Sequence, residues 1–287
     1  MSGTVGQEKA YAKINLSLDV LGKREDGYHE LCMVMETVDL ADTLTFKHEG
    51  TGLRVESQIS FLPTDRSNLA VTAALAFQKA TGHAVEPLII QMDKRIPVCA
   101  GTAGGSSDAA ATLRYLNRAT GANLSLQELQ AIGETVGSDV PYCLMGGTVL
   151  AEGRGERLTA LPALPKCAVV LCKPNFSIST GVLFGEVDRY KIRRRPDTEG
   201  MVAALGKGDL SGVARRVYNV FEDVLKDRYR RTVEAIKNTM IGEGALGAAM
   251  TGTGPTVFGI FDDEEAAKSA WERLEEDYPS TFLCHTV

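Results

Sequence analysis

Apolar and polar residues alternate along residues 10–22, where Lys13, Asn15, Ser17 and Asp19 interleave with Ile14, Leu16, Leu18 and Val20. A period of two predicts a β-strand with one buried face. It sets Lys13 and Asn15 side by side on the other face, where solvent exposure is the plain alternative to a role in a site. Asp26-Gly27 signals a turn that presents Tyr28 and His29 on a loop rim, either as ordinary rim residues or facing a ligand. Residues 31–38, 42–47 and 53–57 read as strands. Ser67-Asn68 caps a predicted helix over 69–80, stopped at Gly82. A strand at 88–92 then leads through Lys94 to Pro97. Leu113 and Leu116 face inward on a predicted helix over 109–118. Ser125-x-x-Glu128 is a capping box for a helix with Leu126, Leu129, Ile132 and Val136 inward and Gly137 at its end. Asp139 then falls just past a helix C-terminus, where the dipole disfavours a carboxylate. It is an ordinary turn residue or one kept there for function.

The prolines of Leu161-Pro-Ala-Leu-Pro165 break the pattern and divide the chain into expected domains at 1–162 and 163–287. Beyond them the pattern predicts a strand at 168–173, a helix near 180–190, and two or three helices between 198 and 241. Strands at 246–250 and 256–261, a helix at 264–277 and a strand at 281–286 complete the chain. That order is the ferredoxin-like split βαβ arrangement. Lys191–Arg195 reads as a solvated charge run. Thr251-Gly252-Thr253-Gly254-Pro255 is a tight hairpin or a ligand-facing turn, and the residues do not choose.

Composition narrows the function. A chain of 287 residues, 44% hydrophobic and 24% charged, fits a globular protein of about two domains. The net charge of −6 weighs against nucleic acid as the main partner. Six cysteines without a C-x-x-C pair predict reduced, buried thiols, and four histidines show no metal-ligand spacing. No apolar run approaches the ~18 residues of a membrane span and no signal peptide is evident, so no membrane partner and a cytoplasmic location are expected.

The densest chemistry lies in Pro97-Val98-Cys99-Ala100-Gly101-Thr102-Ala103-Gly104-Gly105-Ser106-Ser107. Small residues running into a helix leave backbone amides open toward one point, where the dipole favours an anion such as a phosphate chain. Glycine keeps side chains out of the way, and Asp108 suits the first turn as a cap. The stretch lacks the Gly-Lys-Ser/Thr of a Walker loop and the spacing of a dinucleotide fingerprint.

Pro97-x-x-x-Gly101-x-x-Gly104-Gly105-Ser106-Ser107-Asp108-Ala109 resembles the central motif of the GHMP kinases, which phosphorylate small metabolites with ATP. Lys13-Ile14-Asn15, Gly27-Tyr28-His29-Glu30-Leu31 and Gly137-Ser138-Asp139-Val140-Pro141-Tyr142 are similar to members acting on a cytidine-diphosphate-linked sugar alcohol. Residues 173–180 and 250–259 fit less tightly. The resemblance implies an α+β fold of two domains: an N-terminal α/β domain like that of a ribosomal protein, and a C-terminal ferredoxin-like domain. It implies ATP as cosubstrate with Mg²⁺, residues 97–107 on the phosphates, and Ser67, Asn68 and Lys94 around the adenine. Lys13 and Asp139 become the catalytic pair. Tyr28 and Phe184 sandwich the cytosine, His29 reads its edge, and Asn15 and Thr180 lie on the substrate. Cys99, Thr102, Thr251 and Thr253 depart from the residues usual there, but all are small or medium-sized. A monomer or weak homodimer is expected. The alternatives are a mevalonate- or homoserine-type kinase, a non-catalytic ATP sensor and an RNA-binding module.

Overall fold

The computed structural model describes residues 5–287, so residues 1–4 of the expected first domain and of the N-terminal reading lie outside the described residues. The elements run β1 (Val5–Lys23), β2 (His29–Lys47), β3 (Leu53–Ser57), α1 (Leu69–Thr81), β4 (Leu88–Asp93), α2 (Gly104–Thr120), α3 (Leu126–Glu134) and α4 (Val140–Met145). They continue with β5 (Val149–Gly153), β6 (Arg157–Ala160), β7 (Ala168–Cys172), α5 (Thr180–Val187), α6 (Thr198–Gly206), α7 (Leu210–Ala214) and β8 (Tyr218–Asn219). A 3₁₀ turn at Val220–Val224 precedes α8 (Asp227–Gly242), β9 (Gly247–Met250), β10 (Val257–Phe261), α9 (Glu264–Glu275) and β11 (Thr281–His285).

Two compact units emerge, each discontinuous in sequence: among the described residues 5–12, 40–98 and 103–146 form one, and 13–39, 99–102 and 147–287 the other. In the first unit, β4 lies between β3, parallel to it, and the end of β2, antiparallel. Phe77 of α1 and Leu113 and Leu116 of α2 are fully buried in one apolar cluster with Phe46 and Ile90 of the strands. Burial of this kind supplies most of the driving force for such a layer. Local signals explain the helix ends. The Asn68 side chain accepts from the Ala70 amide, Gly82 closes α1 in a left-handed conformation, and Ser125 and Glu128 form the reciprocal capping box of α3.

In the second unit the sheet order β11-β7-β10-β9 is that of the ferredoxin-like fold. Helices α8 and α9 cover it with Val233, Ile236, Met240, Ala267, Ala270 and Leu274. The first half of β2 pairs with β5, which pairs with β6, and β8 joins β1 at Ser17 and Leu18.

Several expectations change. Residues 31–38 and 42–47 belong to one 19-residue strand, because no glycine or proline interrupts Asp39–Asp42. Leu126 is 45% exposed and α3 stops before Val136, so the inward stripe of that helix is shorter than its periodicity implied. Lys13, Asn15, Ser17 and Asp19 are all buried. The polar face of β1 is thus covered by partners far along the chain, which alternation cannot reveal. One of them corrects the charge run: Arg195 donates to Asp19 Oδ1 at 2.6 Å and to the Val20 carbonyl at 2.7 Å. The six cysteines are free thiols, but only Cys167, Cys172 and Cys284 are buried, and Cys99 is exposed. No helix among the described residues is long and apolar enough to cross a membrane.

Glu36 on β2 is a buried carboxyl that accepts a hydrogen bond from the Thr148 hydroxyl at 2.5 Å. Burial raises its pKa from 4.5 to about 7. A raised folded pKa stabilises fully below the unfolded value and is lost as pH climbs through the folded one. Glu36→Gln should therefore gain on the wild type, by up to roughly 3 kcal/mol, between pH 4.5 and about 7. Urea midpoints at pH 5 and pH 8 measure this, and an unchanged difference between the two proteins would contradict it.

Candidate active site

The small-residue stretch after Pro97 folds as an anion cradle would. Cys99, Gly101 and Ala103 have φ of 54°, 80° and 58°, three left-handed positions at alternate residues. Such alternation turns successive amides to one side, as in backbone nests. Ala103 is the N-cap of α2 and offers no capping side chain, so the first-turn amides of this 17-residue helix stay available. The helix begins at Gly104, five residues earlier than its apolar spacing predicts. Gly101 is needed for more than access to a guest. A Cβ there would sit 2.3 Å from the Thr251 carbonyl oxygen, so its close approach to the Thr251–Pro255 turn also excludes a side chain. That turn is a β9–β10 hairpin and also a support for the loop, since the Thr256 amide donates to the Ala100 carbonyl at 3.4 Å.

Asp108 is not a cap. Its position lies inside α2, where Oδ2 accepts from Lys94 Nζ at 2.6 Å, and Lys94 also donates to Asp42 Oδ2 at 2.5 Å. All three side chains are nearly sealed from solvent. Burial raises the Asp108 carboxyl above the ordinary carboxylate range against the pull of Lys94, and its Oδ1 has no hydrogen-bond partner. Asp42 Oδ1 also accepts from the Arg95 and Ile96 amides at 2.6 and 2.8 Å. The network therefore grips the chain directly ahead of Pro97. Sequence reasoning missed Asp42, which nothing local marks.

Lys94, one of the residues expected around the adenine, lies beside the start of α2. Lys94 Nζ would lie 3.6 Å from a Cβ on Gly104, and Leu69, next to Asn68, 3.4 Å from one on Gly105. Asn68 is committed to its own helix and to the Pro63 carbonyl, while Ser67 is exposed. Ser107 is turned away from the cradle, its hydroxyl donating to the Tyr11 carbonyl at 2.6 Å.

Asp139 corrects its predicted setting. It heads α4 rather than trailing α3, with Pro141 in the first turn and its side chain not capping the helix. A Cβ on neighbouring Gly137 would be 3.9 Å from Ser106 Oγ, which sets this turn beside the first turn of α2. Arg114 of α2 reinforces the placement by donating to the Cys143 carbonyl at 2.9 Å. Lys13 adjoins the loop within the second unit: its amide donates to the Thr102 carbonyl at 3.2 Å, and its ammonium to Asn15 Oδ1 at 2.6 Å. Asn15 is held in turn by Thr251, whose hydroxyl accepts its amide at 2.9 Å.

Tyr28 is 55% exposed, with the Arg154 guanidinium 5.1 Å from its ring centroid. His29, not Tyr28, is the ring that stacks on Phe184, at 4.6 Å between centroids. Thr180 is exposed and hydrogen-bonded to Thr253 across 3.0 Å. Among the described residues no group of three or more His, Cys, Asp or Glu gathers to hold a metal ion.

Comparison with known proteins places the chain in a family. Residues 68–147 match the model of the GHMP kinases N terminal domain, and residues 201–280 that of the GHMP kinases C terminal domain. A relative from Caldicellulosiruptor saccharolyticus, a 4-diphosphocytidyl-2-C-methyl-D-erythritol kinase, is 44% identical, covering 93% of this chain and 92% of its own. A crystal structure of 4-(cytidine 5'-diphospho)-2C-methyl-D-erythritol kinase superposes with a TM-score of 0.81 at 31% identity, covering 98% of this chain and 99% of the other. A homoserine kinase from Cytophaga hutchinsonii shares the fold with a TM-score of 0.71 at 18% identity, over 100% of this chain and 96% of the other.

Proposed function

The chain belongs to the GHMP kinase family, among its 4-diphosphocytidyl-2-C-methyl-D-erythritol kinases, and from that membership we propose how its residues carry the reaction. The γ-phosphoryl group of ATP passes to the 2-hydroxyl of 4-(cytidine 5'-diphospho)-2-C-methyl-D-erythritol, giving the 2-phosphate and ADP, a step toward isoprenoid precursors. The observation that carries the assignment of residues is the loop itself. Three left-handed positions lead into an uncapped helix, with Lys13 bonded to the loop at Thr102 and the Asp139 turn beside Ser106.

Phosphoryl transfer asks mainly for positioning and charge neutralisation. The amides of residues 99–106 bind the phosphates. Lys13, held by Asn15, supplies a point charge to the transferred group. Asp139 accepts the hydroxyl proton or orients that oxygen in line. Mg²⁺, brought with the nucleotide, would neutralise phosphate charge. It needs only one or two protein oxygens beyond phosphate and water, and Ser106 Oγ at the head of the cradle fits as one. Tyr28 and Phe184 form the walls for the cytosine, with Thr180 at the substrate side.

The product decides the reading. The acceptor carbon carries the methyl branch and no hydrogen, so the new monoester should give a proton-coupled phosphorus NMR signal without splitting. A split signal would place the phosphate on another hydroxyl.

Two further results should follow. Iodoacetamide should label the exposed Cys99, and saturating ATP should protect it, as read by peptide mass spectrometry. Equal labelling with and without ATP would move the phosphates off this loop. Tyr28→Ala should weaken substrate binding by about 1–3 kcal/mol, the value of a base stacked on an aromatic ring. An unchanged substrate constant would remove Tyr28 from the base site.

A further inference from the structure

Helix α5 carries two side chains that act on one imidazole. Phe184 and Asp188 are four residues apart at its C-terminal end, where the Asp188 amide donates to the Phe184 carbonyl at 3.0 Å, so both face the same side of the helix. Phe184 lies against the face of the His29 ring, with centroids 4.6 Å apart and planes inclined by 25°. Asp188 Oδ1 lies 2.7 Å from His29 Nε2, while Oδ2 faces Lys23 Nζ at 3.4 Å. The hydrogen bond from His29 holds the Asp188 carboxyl below the usual carboxylate range, so it is an acceptor only. The His29 side chain is 10% exposed. Ring plane and ring rotation are therefore both set from outside.

Which nitrogen of an imidazole carries the proton is decided by the partner of the other. With an acceptor-only carboxylate on Nε2, that nitrogen carries the hydrogen and donates it, and Nδ1 is left with its lone pair. We infer that Asp188 is a positioning residue that holds His29 as a hydrogen-bond acceptor at Nδ1, and so makes the site select an amino-bearing pyrimidine over one with a carbonyl at that place. The inference rests on the reading that His29 meets the edge of the substrate base. Cytosine offers its exocyclic amino group to the Nδ1 lone pair. Uracil presents an oxygen there, lone pair against lone pair, and its own N–H is one ring atom away. To use that N–H the base must slide within its plane and give up part of its stacking.

The test joins a spectroscopic and a kinetic readout on the full-length chain. Long-range proton–nitrogen correlation at pH 8, with His29 assigned by its loss in His29→Gln, should show the Nε2–H tautomer in the wild type. Asp188→Asn should show a mixture of tautomers, because an amide can donate or accept. The ratio of kcat/KM for the cytidylylated substrate to that for its uridylylated analogue should fall roughly tenfold in Asp188→Asn, the scale of one mispaired buried polar group. The loss should appear mainly in KM, and Asp188→Glu should restore both the tautomer and much of the ratio. A wild-type His29 in the Nδ1–H or doubly protonated form would overturn the inference. So would a ratio unchanged in Asp188→Asn. If His29→Gln also leaves the ratio unchanged, it is the placing of the base at His29 that has failed. Wild-type turnover of the cytidylylated substrate in the same assay keeps either failure separate from that of the kinase reading.

Discussion

Asp139→Asn should lower kcat by roughly 10²–10⁴-fold, the usual contribution of a positioned general base, with little change in the KM for ATP. The substitution keeps shape and removes only basicity. Asp139 heads the six-residue α4 without capping it, so its loss should cost the helix little. The turn that holds it packs against the first turn of α2 at Ser106, so the nucleotide cradle should survive the change. A drop in kcat at unchanged ATP affinity is the signature of an interaction made at the reacting oxygen. Steady-state kinetics with both substrates varied measures it, and near-normal kcat would remove the base role from Asp139.

Lys94→Met should destabilise the protein by about 3–5 kcal/mol, because it strands two buried carboxylates without their shared cation. The side chains of Lys94, Asp42 and Asp108 are 3%, 0% and 4% exposed, so water cannot take the ammonium's place. Burial, and to a lesser degree the nearby Asp42, already places the Asp108 carboxyl above its ordinary range against the pull of Lys94, with one oxygen unpartnered. Adding Asp108→Asn to Lys94→Met should recover part of the loss by removing one of the stranded charges. Asp42 also carries the Arg95 and Ile96 amides, so the single variant should raise the KM for ATP as the approach to Pro97 loosens. Urea unfolding at pH 7 reads the stability. A loss below about 1 kcal/mol, the level of an exposed ion pair, would show that the network does not depend on its cation.

What could be read from the sequence was what neighbouring residues decide. Asn68 and Gly82 bracket α1, and Ser125 with Glu128 opens α3, because caps act within a few residues. The ferredoxin-like order was legible from element succession alone. The cradle after Pro97 was legible from its small residues, although two of its three left-handed positions fall on Cys99 and Ala103 rather than on glycine. Partners distant in sequence left no such trace. Asn15 meets Thr251 across 236 positions, Asp19 meets Arg195 across 176, and Lys94 meets Asp42 across 52. Alternation therefore could not choose between solvent and a site for the polar side of β1, and dipole reasoning made a cap of Asp108. Asp139 was misjudged for a related reason: a second helix begins at once after α3, reversing the dipole it feels. The His29–Phe184 stack joins residues 155 positions apart; the chain's likeness to its family named both residues but paired Phe184 with Tyr28.

The most direct test of the whole account is the initial rate of ATP-dependent ADP release with three acceptors: the cytidylylated methylerythritol, mevalonate and homoserine. The kcat/KM for the cytidylylated acceptor should stand roughly 10⁴-fold above the other two, the discrimination open to a site built around polar groups that the wrong substrate leaves unpaired. Equal or faster turnover of mevalonate or homoserine, or none of the cytidylylated acceptor, would contradict it.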